Sequence, residues 1–417
     1  MISVFTPSHD PRYLGDCYES LLAQTYTDWE WVVLLNGDAE WWYPPANDPR
    51  VRVSQSSATG VGAAKAAACQ LARGGILVEL DHDDILARHC LDAIHDAFRT
   101  NPSAALVYSN CAQVNADLTR NDEHWNEGNG WVYYSTAIDQ RDVLAVRALP
   151  PTPHNVSLIW YAPNHVRAFT RAAYTQSGGY DPARMVLDDQ DLMRRLYQVG
   201  PFLHIDQCLY LQRLHDAMTQ KQAETNAFIQ TETLRIYAES IQPLALTWAK
   251  RNNLMALDLG SAHNKPPEYL GLDSAAAIGV DIVSTIPPID LPDNSVGVIR
   301  AVDFLEHVPD QIGLMEELHR ILVPGGLLLS MTPSTDGRGA FQDPTHVSFW
   351  NENSFWYWTD QARQYVPAIK ALFQVSYLST AYPSDWHEQH NIPYVVANLI
   401  AVKEPMPRNG GYLCSLP

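Results

Sequence analysis

The sequence predicts two α/β units, each built on a mainly parallel β-sheet. The chain has 417 residues, more than a single hydrophobic core usually organises. From residue 2 onward, short apolar runs alternate with helix-like segments, a pattern typical of parallel sheets covered by helices. The same alternation starts again at Leu254, after a polar, helix-forming stretch over residues 223–250.

The first unit is predicted to open with three buried strands and three helices. The apolar runs at residues 2–6, 31–35 and 76–80 predict the strands. Apolar side chains on one side predict a helix over 13–24, and alanine content predicts another over 62–72. The third helix is indicated by an amphipathic stripe that starts near Leu86 (Leu86, Cys90, Leu91, Ile94, Phe98).

The second unit repeats this organisation. Strands are predicted at residues 254–259 and 327–331. Between them, Ile312, Met315, Leu318 and Leu322 form a helical stripe. The predicted domains are therefore residues 1–225 and 251–417, joined by a helical connector over residues 226–250.

Composition and charge limit the classes of function. No apolar run reaches the ~18 residues of a membrane span, and residues 1–5 lack the features of a secretory signal. The six cysteines have no CxxC spacing, which predicts a reducing, cytoplasmic setting and no zinc site. The net charge of −19 disfavours nucleic acid and anionic membranes as partners, although it leaves room for a local basic groove.

The acidic group Asp81-His82-Asp83-Asp84 directly follows the third predicted strand. Ligands of open α/β sheets bind beyond the carboxyl ends of the strands. Crowded carboxylates there are the oxygen ligands that Mg²⁺ or Mn²⁺ prefers, and such an ion can bridge to a diphosphate. The alternative is a solvated loop that caps the helix beginning near Leu86.

A second acidic group, Asp188-Asp189-Gln190-Asp191, precedes an apolar helical segment. One of these carboxylates is a candidate general base that deprotonates an acceptor hydroxyl. The alternative is that the acids cap the positive end of the helix.

Six ordered blocks in the first 220 residues resemble the inverting family 2 glycosyltransferases of the GT-A fold. These blocks are Ser3–Asp10, Gly62–Ala66, Leu80–Leu86, Phe169–Tyr174 with Gly178–Asp181, Asp188–Leu192 and Arg213–His215. The resemblance implies sugar transfer from a nucleotide donor, of which UDP is the family's commonest, to a hydroxyl of a glycan or other acceptor. It also implies a bound Mn²⁺ or Mg²⁺.

The resemblance assigns roles position by position. Asp83 becomes the direct metal ligand, and Asp81 contacts the ribose or a metal-bound water. Asp189 becomes the base, with Asp188 beside it. His215 either completes the metal shell or is a surface histidine. The nucleoside and diphosphate side of the pocket is assigned to Pro7, Ser8, Asp10, Asn36 and Lys65, of which Asn36 and Lys65 depart from the usual family residues and leave the donor open.

The second unit resembles class I methyltransferases that use S-adenosylmethionine. The matching blocks are Leu257–Ala262, Tyr269–Asp273, Leu291–Ser295, Asp303–His307, Leu322–Gly326 and Asp343–Val347. The resemblance assigns cofactor binding to Asp258, Gly260, Asp273 and Asp303. Only one glycine remains in the first turn, because Ser261 and Ala262 follow Gly260. Two hypotheses therefore stay open: methylation of a glycan, or a degenerate domain that binds a partner or positions the acceptor.

Overall fold

A computed structural model describes residues 1–123, 130–159, 162–215 and 223–403. Its described part divides into two compact units, residues 1–244 and 245–403. The division falls inside one long helix, Ala223–Arg251, and within the stretch that the sequence predicts as a connector. The C-terminal end of the second predicted domain, residues 404–417, lies outside the described residues.

The first unit contains a mixed sheet. Its strands are β1 (Ile2–Ser8), β2 (Trp29–Asn36), β3 (Val51–Ser56), β4 (Ile76–Glu79), β5 (Ile85–Leu86), β6 (Leu106–Asn115), β7 (Tyr133–Ile138), β8 (Arg141–Val146), β9 (Arg167–Thr170) and β10 (Phe202–Leu214). Its helices are α1 (Leu14–Leu22), α2 (Val61–Leu71), α3 (Cys90–Thr100), α4 (Pro153–Leu158), α5 (Arg171–Gln176), α6 (Asp188–Val199) and the first part of α7 (Ala223–Arg251).

The strand order β3-β2-β1-β4-β9-β6-β10-β5 brings three parallel strand ends together. Strand β1 lies between β2 and β4 and is parallel to both. These strands are almost completely buried. Their sequences are therefore continuous apolar runs and do not alternate between apolar and polar residues. The residues that follow β1, β2 and β4 therefore meet at one edge of the sheet.

A close approach between α2 and the segment before α6 depends on a glycine. A Cβ atom at Gly62 would lie 2.2 Å from the carbonyl oxygen of Asp181. The amide of Gly62 also donates to the carbonyl of Arg184. This contact places Lys65, one turn further along α2, next to the start of α6.

The second unit is a second α/β fold. Its strands are β11 (Met255–Leu259), β12 (Leu270–Asp273), β13 (Ile282–Val283), β14 (Val296–Val302), β15 (Leu322–Pro333), β16 (Leu372–Ala381) and β17 (Tyr394–Val402). Its helices are α8 (Gln311–Ile321), α9 (Gly339–Gln342), α10 (Glu352–Trp356) and α11 (Asp385–Gln389). The strand order is β13-β12-β11-β14-β15-β17-β16, and only β17 runs against its neighbours.

The core of the second unit lies between this sheet and its helices. The apolar face of α8, with Leu314, Met315 and Leu318, packs into the same buried cluster as Leu257 of β11 and Trp350. The predicted helical stripe therefore faces the sheet, except that Leu322 belongs to β15 because α8 ends at Ile321.

The predicted fold class is confirmed, because both units are α/β with mainly parallel central strands. One helix start is wrong: α3 begins at Cys90, and Leu86 belongs to the short strand β5, which pairs with β10. In the part of the chain that the structure describes, no helix has both the length and the apolar character that crossing a bilayer requires.

Candidate functional site

The carboxyl ends of β1, β2 and β4 bring several predicted donor-site residues to one cleft. This cleft has a volume of about 420 Å³, and Pro7, Asp10, Asn36 and Asp81 line it. Ser8 is buried instead, and its hydroxyl donates to the carbonyl oxygen of Asp10 at 2.9 Å. Ser8 thus shapes the loop that carries Asp10.

The acidic loop after β4 does not cap a helix. Residues 81–84 lead into β5, and the N-cap position of α3 is His89. Asp84 is buried, and its carboxylate accepts the backbone N–H of Arg213 at 2.8 Å. Burial raises the pKa of Asp84 well above its ordinary value. Asp84 therefore fixes the loop to the end of β10.

Asp83 meets His215 in the cleft. The Oδ2 atom of Asp83 lies 2.8 Å from Nε2 of His215, which directly follows β10. The two residues are 132 positions apart in the sequence, so the folding of β10 beside the acidic loop creates this pair. The carboxylate oxygen is a ligand type that Mn²⁺ prefers, and an ion bound by both residues would replace the hydrogen bond between them.

A buried arginine holds this pair in place. Arg213 is 3 % exposed, and its Nε donates to the carbonyl oxygen of Asp83 at 2.8 Å. Its Nη2 donates to Oδ2 of Asp16 at 2.6 Å. The sequence places Arg213 in a matching block but gives it no role, because its partners Asp16, Asp83 and Ala116 lie on three separate segments.

Asp81 lies where the cleft adjoins a second, smaller cavity. Its Oδ2 lies 3.9 Å from Nε2 of His165. Burial raises the pKa of Asp81 to about 7, and the carboxylates of Glu79 and Asp83 act in the same direction. A bound cation would offset this crowding of negative charge.

Lys65 lines the cleft, but its ammonium group forms ion pairs with two carboxylates. The Nζ atom lies 2.9 Å from Oδ2 of Asp188 and also contacts Oε1 of Glu79. All three side chains are buried. The family resemblance assigns Lys65 to the diphosphate and assigns no role to Glu79. The available signal was an acidic residue at the end of an otherwise apolar strand.

The acids at the start of α6 are held by basic side chains rather than acting as simple caps. The N-cap residue is Leu187, with φ of 58°, and its side chain makes no capping hydrogen bond. Oδ1 of Asp189 accepts the backbone N–H of Gln190, in the first turn, at 2.7 Å. Asp188 pairs with Lys65, whereas Oδ2 of Asp189 accepts a hydrogen bond from Nη1 of Arg167 at 2.8 Å. Arg167 is buried in β9 and was not found by sequence analysis.

The side chain of Asp189 is accessible from two cavities. It lines the donor-side cleft and also a smaller cavity of about 120 Å³. The smaller cavity has a polar wall that includes Gln113, Glu123, Asn164 and His165. An acceptor hydroxyl in the smaller cavity and a donor in the cleft would thus meet at Asp189.

In the second unit, three of the four residues assigned to cofactor binding follow or end adjacent strands. Gly260 follows β11 with φ of +67°, Asp273 ends β12, and Asp303 follows β14. The backbone N–H of Ala262 donates to Oδ2 of Asp273 at 3.2 Å, so the turn and the acid are in contact.

Asp258, the fourth residue, is placed differently. It is 1 % exposed, and Arg300 of β14 donates to its Oδ1 at 2.6 Å. This ion pair joins neighbouring strands. The three strand ends fit a nucleotide-type cofactor, because such ligands bind beyond the carboxyl edge of an α/β sheet.

Comparison with protein families assigns both units. Residues 3–152 match the model of glycosyl transferase family 2, and residues 228–372 match that of a methyltransferase domain. Both predicted resemblances are confirmed. The chain carries the domain of a family 2 glycosyltransferase, followed by a methyltransferase-type domain.

Individual relatives match the N-terminal half. The chondroitin synthase of Escherichia coli is 29% identical over 225 residues, which cover 52% of this chain and 30% of that protein. The hyaluronan synthase of Pasteurella multocida is 25% identical over 223 residues, covering 52% of this chain and 20% of that protein. The matched region thus spans less than a third of each of these relatives.

A solved structure gives a weaker match. The crystal structure of S. aureus TarS 1-349 in complex with UDP has a TM-score of 0.40 and 14% sequence identity, covering 60% of this chain and 70% of that one.

Proposed function

We propose that the first unit transfers a sugar, with inversion, from a nucleotide-sugar to an acceptor hydroxyl in a metal-dependent reaction. The observation that carries this proposal is the position of Asp189, which lines both cavities. The Asp83–His215 pair lies in the larger of the two. The residues assigned here are Asp189 and Asp188 for the base region, and Asp83, Asp81 and His215 for the metal region.

Asp83 and His215 would hold the cation, since their oxygen and nitrogen atoms are suitable ligands and both residues line the cleft. When bound, a divalent cation offsets the negative charge that develops on the departing diphosphate. Asp81, at the junction of the cavities, is proposed to contact the ribose or a metal-bound water. Asp10 and Asn36 are proposed to bind the nucleoside.

Asp189 is proposed to act as the general base. Its carboxylate accepts the proton of the acceptor hydroxyl while that oxygen forms a bond to the anomeric carbon. The bond from that carbon to the diphosphate oxygen breaks on the opposite face, and the electron pair leaves with the nucleotide. Arg167 holds Oδ2 of Asp189 in place, and Lys65 pairs with Asp188 beside it.

The donor is proposed to be a UDP-sugar and the acceptor a glycan. The donor follows from the family resemblance. The acceptor is supported by relatives named as chondroitin and hyaluronan synthases. The five described cysteines are free and buried, which supports a reducing, cytoplasmic setting.

Calorimetric titration of the full chain with UDP, with and without Mn²⁺, tests the donor site. We expect Mn²⁺-dependent binding that Asp83→Asn weakens and Asp96→Asn, an exposed acid on α3, leaves unchanged. UDP binding that ignores both Mn²⁺ and the Asp83 substitution would refute the metal assignment.

Release of UDP from UDP-sugars tests the base. Asp189→Asn is expected to slow transfer to glycan acceptors by at least about 10²-fold while UDP affinity is retained. A rate near that of the wild type would show that another group removes the proton.

For the second unit we propose binding of S-adenosylmethionine at Gly260, Asp273 and Asp303, in a domain that begins near residue 251 after the connector at 226–250. The meeting of the Gly260 turn with Asp273 favours this function. A calorimetric titration of the full chain with S-adenosylmethionine should show one site that Asp273→Ala abolishes. Absence of binding at millimolar cofactor would favour the alternative, a domain that binds a partner or positions the acceptor.

A further inference from the structure

Three potential metal ligands converge in the second unit, apart from the residues assigned to cofactor binding. Glu306 and His307 belong to a short 3-10 helix after β14, and His346 lies between α9 and α10. One ligand atom from each residue lies within 4.8 Å of the other two. The Glu306 side chain is buried, that of His346 is 8 % exposed, and His307 faces solvent.

The carboxylate of Glu306 has one satisfied and one unsatisfied oxygen. Its Oε2 accepts a hydrogen bond from the hydroxyl of Thr332 at 2.6 Å. Its Oε1 is buried, and no residue in the described ranges donates to it. Nε2 of His346 lies 4.0 Å from this oxygen, which is too long for a hydrogen bond. Burying a charged oxygen without a partner costs free energy, and a positive ligand at this position would remove that cost.

The histidine rings are oriented as metal-binding histidines are. Nδ1 of His346 lies 3.0 Å from the carbonyl oxygen of Ala340. A carbonyl oxygen only accepts, so Nδ1 carries the proton, and a neutral ring then has its lone pair on Nε2, facing Glu306. Nδ1 of His307 lies 3.2 Å from the carbonyl oxygen of Thr345. Such hydrogen bonds to the outer nitrogen fix the tautomer of ligating histidines.

We propose that Glu306, His307 and His346 bind a divalent first-row transition-metal ion. With Nε2 of His346 as an acceptor, two acceptor atoms face each other across 4.0 Å, and an ion with bonds of about 2.1 Å to each fits between them. Two imidazoles and one carboxylate select Zn²⁺, Mn²⁺, Fe²⁺ or Co²⁺ over Ca²⁺. The Oδ2 of Asp343, also 4.0 Å from Nε2 of His346, adds negative charge at the rim.

The competing explanation is a protonated His346 in a long ion pair with Glu306. That arrangement needs no metal, so metal binding separates the two explanations. The proposed glycosyltransferase site also binds a cation, and the experiment must therefore count the two sites separately.

The full chain, stripped with a chelator, is titrated with Zn²⁺ and Co²⁺ in the background of Asp83→Asn, which removes a ligand of the first site. We expect one bound equivalent and a Co²⁺ absorption spectrum with nitrogen ligands. His346→Gln and the solvent-facing His307→Gln should each weaken the affinity by about 100-fold or more. His390→Gln, next to α11 and outside the group, is the matched control.

Equal affinity in all three histidine variants, or no bound ion in Asp83→Asn, would overturn the proposal. Circular dichroism of each variant shows whether the fold is kept. If His346→Gln unfolds, His307→Gln alone tests the metal site. UDP binding by His307→Gln should match that of the wild type. Failure of the metal-site proposal is therefore distinct from failure of the glycosyltransferase proposal.

Discussion

Replacement of Lys65 by methionine is the sharpest test of the buried charge cluster under the donor cleft. The substitution keeps the length of the side chain but removes the ammonium group that Glu79 and Asp188 share. Glu79 is 0 % exposed and Asp188 is 5 % exposed, so neither carboxylate gains water as compensation. Removing one partner of a buried ion pair costs about 3–5 kcal/mol.

The pKa of Glu79 reports on all the positive neighbours of its carboxylate, of which Lys65 has the largest effect. Burial alone would raise this pKa, but the charges of Lys65, His165 and Arg167 lower it from 4.5 to about 2. A shift of that size corresponds to roughly 3 kcal/mol of folding stability. Because the folded-state pKa is the lower one, this stability is present above pH 4.5 and is lost as the pH falls toward 2. This free energy is close to the about 3–5 kcal/mol expected for breaking the buried ion pair.

Differential scanning calorimetry of the full chain at pH 7 measures the effect. For a unit of this size, about 3–5 kcal/mol lowers Tm by roughly 6–20 °C. The matched control is Arg99→Met, which breaks an exposed ion pair with Asp96 on α3 and should move Tm by no more than a few degrees. In Lys65→Met/Glu79→Gln, part of the loss should be recovered, since one unpaired charge is gone.

A Tm within 2 °C of the wild type for Lys65→Met would refute this reasoning. It would mean that Arg167, whose Nη1 lies 3.7 Å from Oε2 of Glu79, compensates the charge by itself. Failure of the double variant to recover stability would show that Asp188, rather than Glu79, depends on the ammonium group.

Three further results are expected. Arg167→Met should slow sugar transfer at least tenfold while leaving UDP affinity within about twofold, because Arg167 positions Asp189 and does not line the donor cleft. Kinetics measures the transfer rate and calorimetry the UDP affinity. An unchanged rate would contradict the positioning role. Gly62→Ala should destabilise the chain by about 1–3 kcal/mol, because its Cβ would overlap the carbonyl oxygen of Asp181. The Cβ of the control variant Gly15→Ala, on α1, meets open space and should not destabilise the chain. Equal thermal stabilities of the two variants would contradict the close approach at Gly62. Below pH 4.5, wild-type stability should fall more steeply than that of Lys65→Met, as measured by denaturation at stepped pH; parallel curves would contradict the pKa argument.

The sequence by itself determined the fold class and the location of the acidic loops. Buried parallel strands give apolar runs that are visible without coordinates, and a carboxylate after such a strand must lie at the carboxyl edge of the sheet. Asp81 and Asp83 were predicted at this edge in this way, and both line the cleft. The ordered blocks of family resemblance added Asp189 and His215, which no local pattern distinguishes from a helix cap or a surface histidine.

Only the tertiary structure decided which charges pair. Lys65, a residue of α2, was expected to face the diphosphate, but the close approach at Gly62 places it between Glu79 and Asp188. Arg167 looks like any strand residue until β9 enters the sheet between β4 and β6 and brings it beside Asp189. Ion pairs depend on distances between segments that are remote in sequence, and local propensity carries no information about those distances.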